Sequence, residues 1–94
     1  TPLKPKRNRA KRAMPCPLCN AEADWRKEGL GHEYDCPRCG RYWLGALLSP
    51  LTLRSYALQL SPALKRIAAS GGRRVELRNE EDITRALDQA ARLP

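Results

Sequence analysis

All four cysteines of the chain fall in two short turns, Cys16-Pro17-Leu18-Cys19 and Cys36-Pro37-Arg38-Cys39-Gly40, with sixteen residues between them. A Cys-x-x-Cys turn offers two thiolates to one ion. Two such turns complete a tetrahedral sulfur shell with no cysteine left over. This spacing predicts one structural Zn2+ held by Cys16, Cys19, Cys36 and Cys39, and it restricts the chain to folds that bring two turns face to face.

Other uses of the same thiols fit less well. Two disulfides would suit a small secreted domain, but the residues ahead of Cys16 are basic rather than apolar, unlike a secretory signal, and an intracellular, cytoplasmic protein is expected. A redox Cys-x-x-Cys needs one motif in a strand-turn-helix setting, not two facing motifs. Iron remains an alternative, because a tetrahedron of thiolates suits it too. A closed four-cysteine shell leaves no position for water or substrate, and His32 is the only histidine, without an evident nucleophile beside it. The expectation is a protein that is not an enzyme.

With 94 residues the chain buries a modest fraction of its surface, so a metal staple is in keeping with its size. Zinc binding to such a pair of turns adds on the order of 10 kcal/mol of apparent folding free energy. The longest apolar-leaning run, Trp43 to Leu48, is far short of the roughly 18 residues of a membrane span. No membrane partner is expected.

The formal charge of +8 is unevenly distributed. Residues 1–13 carry Lys4, Lys6, Arg7, Arg9, Lys11 and Arg12 with no acid, which is +6; residues 14–45 come to −1 and residues 46–94 to +3. A zinc tetrathiolate would bring the total to about +6. Residues 1–15 hold three prolines and few apolar side chains, so they read as a disordered or extended basic tail. Such an arm suits the phosphates of DNA or RNA. A second group of cations, Lys65, Arg66, Arg73 and Arg74 with Arg78, reads either as a continuation of that surface or as an ordinary solvated face.

Within residues 16–45, Ala21, Ala23 and Trp25 alternate with Glu22, Asp24 and Arg26, the period of a half-buried strand. Glu28-Gly29-Leu30-Gly31 supplies a turn, and Arg41 to Leu44 supplies a third strand. Trp25, Tyr34, Tyr42 and Trp43 read as the core of this small sheet in preference to a base-stacking platform. Residues 46–94 read as a helical cap with a short strand. Ser49-Pro50 and Ser61-Pro62 each place a capping hydroxyl before a first-turn proline, which predicts helices over about Pro50–Gln59 and Pro62–Ser70. Arg74 to Arg78 alternates like a short exposed strand. Asn79 then caps a last helix with Glu80, Glu81 and Asp82 in its first turn and Ile83, Leu87 and Ala90 along one side. The fold expected is small α+β, a zinc-bound hairpin or three-strand sheet followed by short helices.

The motifs Cys16-Pro17-x-Cys19 and Cys36-Pro37-x-Cys39-Gly40, with aromatics directly after, resemble the zinc ribbon of transcription, translation and DNA-processing proteins. The resemblance covers residues 16–44 and implies metal ligation by the four cysteines. A basic tail ahead of such a module is also similar to small zinc-bearing ribosomal proteins, whereas the Cys-Pro-x-Cys-Gly turn is shared with rubredoxins. Three functions follow as expectations: a nucleic-acid-binding protein, an assembly subunit of a larger protein complex presenting Leu47, Leu48, Leu51 and Leu53 to a partner, and a rubredoxin-like electron carrier.

Overall fold

The computed structural model describes residues 12–94. Four consecutive antiparallel strands form a meander: β1 (Arg12–Pro15), β2 (Glu22–Glu28), β3 (Gly31–Cys36) and β4 (Gly40–Gly45). A helix, α1 (Pro50–Ala69), then crosses to β5 (Val75–Leu77), which pairs parallel with β4, and α2 (Glu80–Ala91) follows. The result is one mixed five-stranded sheet in the order β1-β2-β3-β4-β5.

The sheet is thus larger than the three strands expected, by one at each side. Residues Arg12–Pro15, read as the end of the tail, pair with β2 through Ala13↔Asp24 and Met14↔Ala23. At the other side, the segment expected as an exposed strand has Leu77 fully buried, because it lies beside β4 with Leu44↔Leu77 in register. Arg74, Glu76 and Arg78 alternate with its buried positions, and the sequence pattern alone could not say that a second strand lay alongside.

The second difference is in the helices. Ser49 caps α1 as expected, its Oγ accepting from the Leu51 N–H at 3.2 Å. Ser61-Pro62 does not start a new helix; α1 runs through it for 20 residues. A proline inside a helix costs about 3 kcal/mol. Here the apolar stripe Leu53, Leu60, Ala63, Leu64 and Ile67 keeps its helical phase across Pro62, and all five are buried. Burying a large aliphatic side chain contributes about 1.5–3 kcal/mol, so the stripe outweighs the lost hydrogen bond. Pro62 withholds its missing N–H from the Leu58 carbonyl, and Leu58 is 92% exposed, so that carbonyl lies on the watered side of the helix.

The core brings Tyr42, Leu60, Ile67, Leu77 and Ile83 together as its most deeply buried large side chains, drawn from β4, α1, β5 and α2. α2 begins as the sequence predicted: the Asn79 side chain accepts from Asp82 N–H at 3.0 Å, and three acids fill the first turn. Among the leucines expected at a partner surface, Leu48 and Leu53 are buried, whereas Leu47 and Leu51 are exposed.

Candidate metal centre

The two cysteine turns have matching backbones. In the first, the Asn20 N–H donates to the Cys16 carbonyl at 2.8 Å, the Cys16 N–H donates to the Ala21 carbonyl at 2.7 Å, and Asn20 stands at φ +67°. In the second, Cys36 pairs across the ladder with Gly40, which stands at φ +90°, and the Arg38 N–H points at Cys36 Sγ from 3.4 Å. The residue after each second cysteine therefore occupies the left-handed region, filled by asparagine in one turn and glycine in the other. Glycine is required in the second, because a Cβ on residue 40 would stand 2.8 Å from the Ala68 Cβ of α1. Contact between turn and helix is that close.

These turns gather the four sulfurs so that all lie within 4.8 Å of one another. Cys16 and Cys39 are separated by 3.9 Å, Cys19 and Cys36 by 3.4 Å. A tetrahedral ion with metal–sulfur bonds of about 2.3 Å would hold sulfurs about 3.8 Å apart, so the cysteines reach one ion with side-chain shifts of at most about 1 Å. None is in a disulfide. Cys16, Cys36 and Cys39 are buried and Cys19 is half-exposed.

Two hydroxyls stand against the sulfurs. Tyr42, fully buried on β4, puts its OH 3.0 Å from Cys16 Sγ, and Ser61 of α1 puts its Oγ 3.1 Å from Cys39 Sγ. These surroundings favour a negative sulfur at Cys16. In the metal-free chain the Cys39 thiol, with help from Tyr42, stabilises a Cys16 thiolate and brings its pKa down to about 4 against the opposing effect of burial. Conversely, that shared hydrogen bond and burial push Cys39 far up, and burial raises Cys36. Burial and the neighbouring Cys16 likewise hold Tyr42 in its protonated form. Neither hydroxyl was expected at the site: Tyr42 was read as core and Ser61 as a helix cap. A signal existed for Ser61, since the unbroken apolar phase on both sides of Pro62 argues that the serine lies within a helix.

The remaining predicted residues divide into three groups. Lys4, Lys6, Arg7, Arg9 and Lys11 lie outside the described residues, and Arg12 enters β1. Lys65, Arg66 and Arg73 are exposed, with the Arg66 guanidinium donating to the Leu93 carbonyl at 3.0 Å. Arg74 is different. Its guanidinium sits 2.9 Å from Glu28, 3.1 Å from Glu33 and 2.9 Å from Glu76. Glu33 is itself buried; burial alone would raise its pKa, but hydrogen bonds from Arg26 and Arg74 outweigh that and hold it below the usual range. Arg74 thus joins β5 to β2 and β3, a structural tie between the two sides of the sheet. His32 packs edge-on to Trp25 with ring centroids 4.7 Å apart. Tyr34 stacks on Tyr42, and Trp43 donates to the Glu28 carbonyl at 2.8 Å.

Comparison with protein families, curated proteins and solved structures yields no match. Fold and site together define a small α+β protein whose four cysteines are positioned to bind one metal ion. No helix among the described residues is long and apolar enough to cross a membrane.

Proposed function

We propose that the chain is a non-enzymatic zinc-ribbon protein that binds DNA or RNA phosphates through its basic amino-terminal arm. One structural Zn2+ on Cys16, Cys19, Cys36 and Cys39 would fix the two turns and leave no ligand position open. The observation that carries the reading is the segregation of charge. Residues 12–94 hold thirteen cations against ten acids, whereas residues 1–11 hold five cations and no acid. Within the folded body Arg26, Arg41, Arg74, Arg78, Arg85 and Arg92 all face carboxylates within 4.0 Å. Arginines already neutralised in place contribute little to a phosphate surface; the arm is the one stretch dense in cations and free of acids, and Lys27, Arg38, Arg54, Lys65, Arg66 and Arg73 are further cations of the body with no carboxylate of the described residues within 4.0 Å.

The test is salt-titrated binding of labelled single-stranded RNA, duplex RNA and duplex DNA to the zinc-loaded chain and to a variant with Lys4, Lys6, Arg7, Arg9 and Lys11 all changed to glutamine. Each duplex-DNA phosphate neutralised steepens the plot of log affinity against log salt by about 0.9, so the variant should lose a slope of up to about 4.5. An unchanged affinity and slope would remove the arm from the binding surface. Metal analysis of the purified protein separates zinc from iron, and a ferric site would be coloured.

A second reading, an assembly subunit of a protein complex, is supported by exposed leucines. Leu30 is 81%, Leu47 93% and Leu51 75% exposed, and Leu30, Trp43 and Leu47 line one groove. It predicts a co-purifying protein that is lost in L47D/L51D while zinc is retained. Retention of that protein by the double variant would refute it.

A further inference from the structure

We propose that the hydroxyls of Tyr42 and Ser61 are positioning groups of the metal site, donating to the liganding sulfurs of Cys16 and Cys39 and thereby setting the affinity for the ion. This rests on the reading that the four cysteines hold a metal. A metal-bound thiolate has no proton, so at the 3.0 Å Tyr42–Cys16 and 3.1 Å Ser61–Cys39 contacts the hydroxyl must be the donor. Four thiolates and a divalent ion carry a net charge of about −2. In a largely buried site each O–H directed at sulfur offsets part of that charge and fixes the orientation of its cysteine.

The behaviour of Ser61 argues that its placement is not incidental. Three other serine and threonine hydroxyls of the helices turn back to their own backbone: Ser55 donates to the Thr52 carbonyl at 2.7 Å, Ser70 to Ile67 at 2.7 Å and Thr84 to Glu81 at 3.0 Å. Ser61 instead crosses to Cys39, on a different element. Tyr42, fully buried, directs its only polar side-chain atom at Cys16. The two donors also serve one cysteine from each turn. Cys36 faces backbone N–H groups of its own turn, those of Cys39 and of Arg38 at 3.4 Å, and among the described residues no hydroxyl reaches Cys36 or Cys19.

The test compares full-length wild type, Tyr42→Phe, Ser61→Ala and Ser61→Thr by chelator competition for zinc, and by the sulfur-to-metal absorption band of the Co2+-loaded proteins. Both Tyr42→Phe and Ser61→Ala should bind zinc about 10–100-fold more weakly. Their Co2+ bands should move to longer wavelength, because a sulfur stripped of its hydrogen bond gives up charge more easily, and Ser61→Thr should restore both readouts. Circular dichroism of the loaded proteins verifies that the fold is kept. Wild-type affinity with an unmoved band in both variants would overturn the proposal while leaving the metal reading intact. A wild-type chain that took up neither zinc nor Co2+ would remove both.

Discussion

The two cysteine turns supply an internal control for backbone strain, since Asn20 at φ +67° and Gly40 at φ +90° hold equivalent places. Replacing Gly40 with alanine puts a Cβ into the left-handed region, at roughly 1–2 kcal/mol. Asn20 already carries a Cβ, so Asn20→Ala forfeits only the greater tolerance of asparagine for that region and should cost less, under about 1 kcal/mol. Gly40→Ala adds a collision, because the new Cβ would stand 2.8 Å from the Ala68 Cβ, and overpacking of this kind costs about 1–3 kcal/mol. The sum is about 2–5 kcal/mol. Ala68→Gly removes the atom struck, at about 1 kcal/mol of helix propensity. A double-mutant cycle between Gly40→Ala and Ala68→Gly should therefore return a favourable coupling of about 1–3 kcal/mol. Urea unfolding at a fixed free zinc concentration measures all four species, holding the metal contribution constant. A coupling near zero, or equal losses in Asn20→Ala and Gly40→Ala, would refute the claim that the second turn is seated directly on α1.

Three further outcomes are expected. Leu77→Ala should cost about 2–5 kcal/mol in the same unfolding assay, since Leu77 is fully buried between β4 and α2, and a surface-like loss below about 0.5 kcal/mol would contradict that burial. Metal affinity should fall as pH drops, because Cys36 and Cys39 are held protonated above the ordinary thiol range and must lose protons to bind. Calorimetry in buffers of different ionisation enthalpy should count at least about two protons released at pH 7, and pH-independent affinity between pH 6 and 8 would refute it. Maleimide should modify Cys19 first in the loaded protein, because it is the half-exposed ligand; peptide mass mapping that finds Cys16 or Cys39 modified first would contradict the site's asymmetry.

What the sequence made legible was local. The cysteine spacing specified a single four-sulfur cluster, Gly29 marked the hairpin, and Ser49 and Asn79 marked helix starts that the structure reproduces. What it hid was contact between distant segments. Val75–Leu77 is too short to announce a parallel partner thirty residues upstream, and Ser61-Pro62 has the same local signature as Ser49-Pro50. The apolar phase that runs unbroken across Pro62, from Leu53 and Leu60 to Leu64 and Ile67, distinguishes the two serine-proline pairs. Charge counting has the same limit: in sequence Arg74 is one more surface cation, whereas in the fold Glu28, Glu33 and Glu76 surround it.

The parallel joining of β4 to β5 imposes an order on folding. Every thiol and the whole β1–β4 meander lie within residues 12–45, so a nascent chain can close the sulfur tetrahedron before α1 is complete. Contacts of that stretch are short-range and form quickly, whereas β5 must wait for the crossover helix and then find a partner thirty-three residues back, Tyr42 for Val75. Until it arrives, the outer edge of β4 is an open template in a chain already emerging. A product ending before Val75 would keep the four cysteines and leave unpaired the edge of β4 that β5 covers in the full sheet.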